Sequence, residues 1–170
     1  MQAVKQLVVV LLSFFTIFAS ALIAWKSLGT YMKTLTPIII VFSESMEPAF
    51  HRGDLLLIST PDEPIQVGDV IAYRVKGNPM PIVHRVIKIH ENKQLDSAYI
   101  LTKGDNIDFN DRSLYYTDQL WVKREDVIGT VRGFIPYIGY IAIAMNEYPG
   151  LRWILVLAMG FCAVVYREQL

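Results

Sequence analysis

The longest uncharged stretch of the chain lies near its N-terminus, and it constrains the fold more than any other feature. Residues 7–25 read LVVVLLSFFTIFASALIAW, nineteen residues without a charged side chain. At about 1.5 Å rise per residue, a helix of this length approaches the roughly 30 Å thickness of a bilayer's hydrocarbon core. We therefore predict a transmembrane signal-anchor helix over 7–25, preceded by an N-terminal tail over 1–6.

A cleavable signal peptide is the alternative interpretation of this segment. Its apolar run is longer than the roughly 7–15 residues usual in such peptides, and the chain continues directly into a β-like stretch, so an anchor is favoured. The flanking lysines give a weak and slightly contrary indication of orientation, because Lys5 precedes the run while Lys26 and Lys33 follow it.

The distribution of charge indicates a water-facing body held at a membrane. The 16 Lys and Arg residues balance the 16 Asp and Glu residues, so nothing favours nucleic acid as a partner. Hydrophobic residues make up 53% of the chain and crowd into its two ends, while most charges fall between residues 44 and 132. Cys162 is the only cysteine in the sequence, which excludes an intrachain disulfide.

The central part of the chain has the pattern of a mainly β domain, which we place at 36–146. Short runs rich in Val, Ile and Tyr, separated by turn residues, are typical of strands. The predicted strands are 38–42, 55–59, 70–75, 82–89, 98–102 and 127–133.

Two apolar segments follow the last predicted strand. Residues 134–145 are compatible with a core strand, a buried helix or a surface that dips into the bilayer, and the sequence does not separate these. Residues 153–166 form an uncharged run of fourteen residues between Arg152 and Arg167, which is short for a membrane span. We predict a short C-terminal membrane-associated helix there, with a buried helix as the alternative.

Ser45 and His84 are candidates for a nucleophile and its base. A serine hydroxyl needs a base to take its proton, and that base is often a histidine from another segment. His84 lies inside the predicted strand IVHRVIKI, where alternation puts it on one face with Val86 and Lys88. A serine at a strand end is more often a turn former, and a mid-strand histidine can be purely structural, so position alone does not decide.

The acidic loop TKGDNIDFNDRSLYY offers a carboxylate that could orient His84. Its aspartates are Asp105, Asp108 and Asp111. Acidic loops of this kind also bind calcium, but the spacing lacks the glycine and glutamate of an EF-hand, and no His/Cys cluster supports zinc. We expect no metal.

Together these segments match a known family. SESMEPAFHRGDLLL at 43–57, PIVHRVIKIH at 81–90 and LTKGDNIDFNDRSLY at 101–115 look like its nucleophile, general-base and aspartate motifs. GFIPYIGYIAIAMNEYP at 133–149 is similar to its C-terminal region. The chain thus resembles the Ser-His-Asp branch of the signal peptidase I family, which includes the catalytic subunit of the eukaryotic endoplasmic-reticulum signal peptidase.

The resemblance assigns roles to individual residues. It implies Ser45 as nucleophile and His84 as general base, where bacterial relatives carry a lysine. It implies Asp111 as the carboxylate that orients His84, with Asp105 as a supporting acid that could take that role instead. Ser43 resembles the residue whose hydroxyl assists the oxyanion hole in bacterial relatives.

Two positions depart from the family pattern. Glu44 stands where glycine is usual, and Ile107 stands where a second asparagine usually follows Asn106. If Ser45 lies on a strand, alternation should point the Glu44 carboxylate away from the nucleophile.

The resemblance also implies a function: a membrane-bound serine endopeptidase, without cofactors, that cleaves signal peptides of secretory and membrane preproteins after small residues. The implied partners are accessory signal peptidase subunits and the lipid bilayer. The implied location is the endoplasmic-reticulum membrane, single-pass, with the catalytic domain in the lumen. The alternatives are a single-subunit archaeal-type signal peptidase and an inactive structural subunit of a membrane complex.

Overall fold

The structure is a computed structural model that describes residues 2–60, 64–92, 97–116 and 119–167; Met1 of the predicted tail lies outside these ranges. Within them, the chain forms an N-terminal helix, a seven-stranded sheet and two C-terminal helices. Their bounds are α1 Gln2–Tyr31, β1 Ile38–Ile40, β2 Leu55–Ser59, β3 Val70–Tyr73, β4 Ile82–Asn92, β5 Ser97–Lys103, β6 Val122–Lys123, β7 Val127–Ile135, α2 Tyr140–Glu147 and α3 Pro149–Arg167.

Helix α1 extends beyond the predicted span at both ends, so the predicted tail is helical from Gln2 onward. It ends near Lys33, whose φ of 53° is the left-handed conformation common at helix C-termini. Its apolar part, Val4–Tyr31, has 28 residues and contains an 18-residue stretch with a mean hydropathy of 2.7, none of which is buried against the rest of the chain. Its length and composition are sufficient to cross a membrane.

The polar side chains inside the apolar run of α1 are compatible with a lipid environment. The hydroxyls of Ser13, Thr16 and Ser20 donate to backbone carbonyls three or four residues earlier in the same helix. Such bonds satisfy polar groups that would find no water in the hydrocarbon core.

The sheet is antiparallel throughout, in the order β1-β2-β7-β3-β4-β5-β6. The mainly β prediction is therefore confirmed, and each of the six predicted strands corresponds to an observed one. Strand β6 was missed, because two residues carry too little periodicity to be recognised.

Strand β3 lies at the centre of the packing, and all four of its residues are buried. Ile71 and Tyr73 belong to one apolar cluster, while Ala72 belongs to a second one on the opposite face. Alternate residues of a strand point to opposite faces, so β3 joins the two halves of the core.

Strand β4 contains a bulge at Ile87 that changes the predicted alternation. Val86 pairs with Thr102, but Lys88 pairs with Leu101, the next residue back along β5. His84 and Val86 share a buried face as predicted, whereas Lys88 is exposed and Ile89 packs against the core instead. The prediction that Lys88 shares the face of His84 was wrong, because an extra residue in one strand reverses the alternation beyond it.

The boundaries of the C-terminal elements differ from those of the two apolar runs in the sequence. Residues 134–145 contain the end of β7 and most of α2, in which Ile143 is the buried residue. Helix α3 is longer than the predicted 153–166, and its apolar side chains between Trp153 and Leu157 are exposed. This part of α3 therefore does not serve as a buried core helix.

Candidate active site

Ser45 lies in the loop between β1 and β2, and this loop is closed at its base. Backbone bonds join Val41 to both Asp54 and Gly53, and the Met46 side chain, 2% exposed, anchors the loop in the protein. The predicted strand 38–42 is two residues shorter in the structure, since β1 ends at Ile40, and residues 43–45 therefore do not lie on a strand.

Ser43 and Glu44 directly precede the nucleophile, and their side chains have different surroundings. The Oγ of Ser43 lies 3.1 Å from the Oγ of Ser45. The Glu44 side chain is exposed, whereas Ser45 is half-buried. The loop thus brings the two hydroxyls together and leaves the carboxylate in solvent.

The structure brings Ser45, His84 and Asp111 into one line of hydrogen bonds. The Oγ of Ser45 lies 3.0 Å from Nε2 of His84. Nδ1 of the same ring lies 2.6 Å from Oδ2 of Asp111. With Asp111 ionised, Nδ1 carries the proton and donates it to the carboxylate, so Nε2 is free to accept the serine proton.

Asp111 is buried among hydroxyl donors. The Oγ1 of Thr102 donates to Oδ2 of Asp111 across 2.6 Å, and the hydroxyl of Tyr73 donates to the same oxygen across 3.1 Å. Burial, followed by the charge of Asp111, raises the pKa of Tyr73 far above its ordinary value of 10.0. Burial also raises the pKa of Tyr115, which touches Thr102. Both phenols therefore remain protonated.

Asp105 lies next to a different partner. Its two carboxylate oxygens accept from Nε and Nη2 of Arg85 at 2.8 and 2.6 Å, and Arg85 also donates to the carbonyl of Gly68. The hydrogen bond to Asp105 raises the pKa of the guanidinium. The third aspartate of the loop, Asp108, is exposed. Of the three, the structure sets Asp111 against His84.

Asn106 and Gly104 lie where the aspartate loop meets the Ser45 loop, and the sequence motifs did not predict a role for either residue. The backbone N–H of Asn106 donates to the carbonyl of Ser45 across 2.9 Å, and its side-chain amide donates to the carbonyl of Glu44. A Cβ on Gly104 would lie 2.7 Å from the Ser45 carbonyl oxygen and 3.1 Å from Nε2 of His84. Only a glycine fits there without displacing the site.

An apolar cleft of about 700 Å³ opens beside Ser45 and His84. Its walls come from β1 and the residues that follow it, from the loop between β3 and β4, and from the acidic loop. The lining includes Ile40, Phe42, Met80, Pro81, Ile107 and Leu114. Such a cleft suits an extended apolar segment better than a charged small molecule.

Among the residues that the structure describes, no group of three or more His, Cys, Asp and Glu side chains gathers as a metal site would require. The chemistry available to the described side chains is that of a serine activated by a histidine, which is acyl transfer.

Comparison with known proteins identifies the family. Residues 22–124 match the model of the peptidase S24-like family. The signal peptidase complex catalytic subunit SEC11C of Rattus norvegicus is 46% identical over 97% of this chain and 86% of its own length. The human SEC11C is 45% identical over the same shares, and SEC11 of Schizophyllum commune is 40% identical over 97% and 93%. The chain therefore belongs to the family of signal peptidase complex catalytic subunits.

Proposed function

We propose that this chain is a serine endopeptidase that removes signal peptides from secretory and membrane preproteins, as the catalytic subunit of a signal peptidase complex. The observation that carries this proposal is the line from Ser45 through His84 to buried Asp111, at 3.0 and 2.6 Å. These distances are those of a nucleophile, base and orienting carboxylate ready for acyl transfer.

In the proposed reaction, Oγ of Ser45 attacks the scissile carbonyl carbon while its proton passes to Nε2 of His84. Asp111 stabilises the resulting imidazolium through the Nδ1–H bond. The imidazolium then gives the proton at Nε2 to the leaving amine, and an acyl-serine remains. His84 next deprotonates a water molecule, whose attack on the acyl carbon releases the new carboxylate and restores the serine.

The developing oxyanion needs donors placed beside Ser45. We assign this role to the backbone N–H of Ser45 and to the hydroxyl of Ser43, whose Oγ lies 3.1 Å from the nucleophile. Asp105 has a supporting role in this scheme, since it holds Arg85, the residue after the base, rather than His84 itself.

The apolar cleft supports a peptide substrate bound in extended form, and the family resemblance implies small side chains before the scissile bond. A tethered enzyme meets membrane-inserted substrates at raised effective concentration, and it reaches bonds close to the bilayer surface. Helix α1, with its unburied apolar surface, is the proposed anchor.

Family membership and helix α1 together support a location in the endoplasmic-reticulum membrane. We further propose a single pass, with the β domain on the lumenal side and α3 associated with the membrane. The relatives are named as subunits of a complex, which supports partner subunits for this chain as well.

Two alternatives fit the observations less well. A single-subunit archaeal-type enzyme would share the same chemistry, but the relatives reported above are eukaryotic complex subunits. An inactive structural subunit would not need Ser45, His84 and Asp111 to lie within hydrogen-bonding distance of one another.

The test is cleavage of a preprotein by the full chain, purified from membranes with its partner subunits. Ser45→Ala and His84→Ala should each lower the rate by about 10⁴-fold or more, because the two residues act as one unit. Matched controls are Ser113→Ala and His51→Ala, which change exposed residues outside the site. Cleavage at the wild-type rate by either site variant would refute the proposal.

A further inference from the structure

A buried polar cluster lies beneath His84 and is larger than the Ser45–His84–Asp111 line requires. Besides Asp111, 1% exposed, it contains Thr102 and Tyr73, both 0% exposed, and Tyr115, 8% exposed. Three hydroxyl side chains around one carboxylate are costly to bury, and apolar residues of similar volume would fill the space more favourably. The cluster therefore calls for an explanation beyond packing.

The charge of Asp111 fixes the direction of the hydrogen bonds that reach its Oδ2, and it leaves the 3.1 Å contact between Oγ1 of Thr102 and the hydroxyl oxygen of Tyr73 without a hydrogen. An ionised carboxylate only accepts, so Thr102 and Tyr73 must both donate to Oδ2, as the His84 ring also does. Because the Thr102 hydroxyl has a single hydrogen, the hydroxyl of Tyr115, 2.9 Å away, must donate to Thr102 Oγ1. The backbone N–H of Thr102 in turn donates to the Tyr115 oxygen across 3.1 Å.

The strand register explains how the cluster comes to lie next to His84. Thr102 on β5 pairs with Val86 on β4, and Tyr73 on β3 pairs with Ile82 on the other side of β4. Val86 and Ile82 each lie two residues from His84, and cross-strand partners project to the same face. Thr102 and Tyr73 therefore flank His84 on the face that Asp111 covers.

We propose that Thr102 is a positioning residue for the reaction, with Tyr115 supporting it and Tyr73 acting in parallel. This inference rests on the proposed function of Ser45, His84 and Asp111. Thr102 and Tyr73 hold Oδ2 of Asp111 from two directions, which prevents the carboxylate from turning away from Nδ1 of His84. The imidazole then keeps the tautomer and the orientation that the proton transfers need.

The test compares two substitutions of Thr102 that remove different parts of the side chain. Thr102→Val keeps the shape and loses the hydroxyl, whereas Thr102→Ser keeps the hydroxyl and loses a methyl group. We expect Thr102→Val to lower kcat about tenfold or more with KM nearly unchanged, because Thr102 is fully buried and therefore out of reach of a bound substrate. Thr102→Ser should retain kcat within about threefold of wild type.

Tyr73→Phe is measured in parallel as an independent loss of a donor to the same oxygen. It should also lower kcat without raising KM, and it keeps the proposal testable if Thr102→Val does not fold. Thr130→Val is the matched control, because Thr130 is a buried strand residue whose hydroxyl has no hydrogen-bond partner among the described residues.

A double-substitution cycle separates positioning from general destabilisation. If Thr102 acts through Asp111, adding Thr102→Val to an Asp111→Asn variant should lower the single-turnover cleavage rate by less than about twofold. Wild-type kcat in both Thr102→Val and Tyr73→Phe would overturn the inference, as would equal losses in Thr102→Val and Thr102→Ser. In either case, the dependence on Ser45 and His84 would still decide the proposed function separately.

Discussion

The side-chain amide of Asn106 donates a hydrogen bond to the carbonyl oxygen of Glu44 across 3.1 Å. That carbonyl belongs to the same planar peptide unit as the N–H of Ser45, so holding the oxygen also fixes the direction of the N–H. Asn106→Asp keeps the shape but turns the donor into an acceptor. We expect kcat to fall about tenfold or more with little change in KM, because the oxyanion loses an aligned donor.

Single-turnover cleavage of a preprotein measures this effect. Asn146→Asp is the matched control, since Asn146 is exposed on α2 and its side-chain oxygen accepts from Arg152, a role that aspartate also performs. Equal kcat values for Asn106→Asp and wild type would contradict the prediction.

Gly104→Ala should impair catalysis because its methyl group clashes with the active site, although the substitution removes no reacting group. The added methyl group would lie 2.7 Å from the Ser45 carbonyl oxygen and 3.1 Å from Nε2 of His84, so one of the two loops must move. A displacement of this kind at a reacting group costs about 100-fold in kcat. The measurement is cleavage rate together with thermal unfolding, and Gly150→Ala, with no neighbour within 4 Å of its added Cβ, is the control. An active Gly104→Ala enzyme would show that the loops tolerate the shift.

The two aspartates of the acidic loop should differ sharply in their effect on rate. Asp111→Asn removes the acceptor of the Nδ1–H bond and favours the wrong tautomer of His84, so we expect a loss of about 10⁴-fold in kcat. Asp105→Asn weakens only the bond to Arg85, and we expect less than a tenfold loss. The measurement is the rate of preprotein cleavage by both variants, with Asp108→Asn, which changes an exposed aspartate, as the control. A larger loss of kcat in Asp105→Asn than in Asp111→Asn would contradict the assignment.

Stability at alkaline pH should depend on Tyr73. Burial and the charge of Asp111 raise its pKa in the folded state above the ordinary value of 10.0. The stabilisation that follows is fully present below about pH 10 and is lost as the pH rises above it, because only the unfolded state releases the proton there. The loss approaches ~1.4 kcal/mol per pH unit for one such group.

Tyr73→Phe should therefore flatten the fall of Tm between about pH 9 and pH 11, even though it lowers Tm at neutral pH. Part of the fall of Tm with pH should remain in that variant, because Tyr115 is still present and its pKa is also raised by burial. Thermal unfolding across this pH range is the measurement, and Tyr137→Phe, which changes a tyrosine that is 70% exposed, is the control. An unchanged slope in Tyr73→Phe would contradict the pKa argument.

Periodicity was sufficient to predict six of the seven described strands, and the length of the uncharged run was sufficient to predict helix α1, but neither could supply the register between strands. The pattern IVHRVIKI puts His84 and Val86 on one face, as observed, yet nothing in it reveals the bulge at Ile87 that exposes Lys88. Register depends on contacts between distant segments and on bulges, which leave weak local signals.

The same limit explains which members of the site were missed. Ser45, His84 and Asp111 were found through the motifs that contain them. Thr102 and Tyr73 lie in strands whose composition indicates only burial, and their contact with Asp111 follows from the order in which β3, β4 and β5 pair. The conformation of residues 43–45 could not be predicted either, because the loop's geometry is set by bonds to Asp54 and Asn106, which are remote in sequence.

The strand order also constrains when the protein can begin to work during its biosynthesis. Strands β2 and β3 are not neighbours in the sheet, because β7, near the end of the domain, lies between them. A growing chain that stops short of Val127–Ile135 therefore leaves β2 paired with β1 alone and β3 with an open edge. The hydrolase can attack other polypeptides only after the first 135 residues of its own chain have left the ribosome.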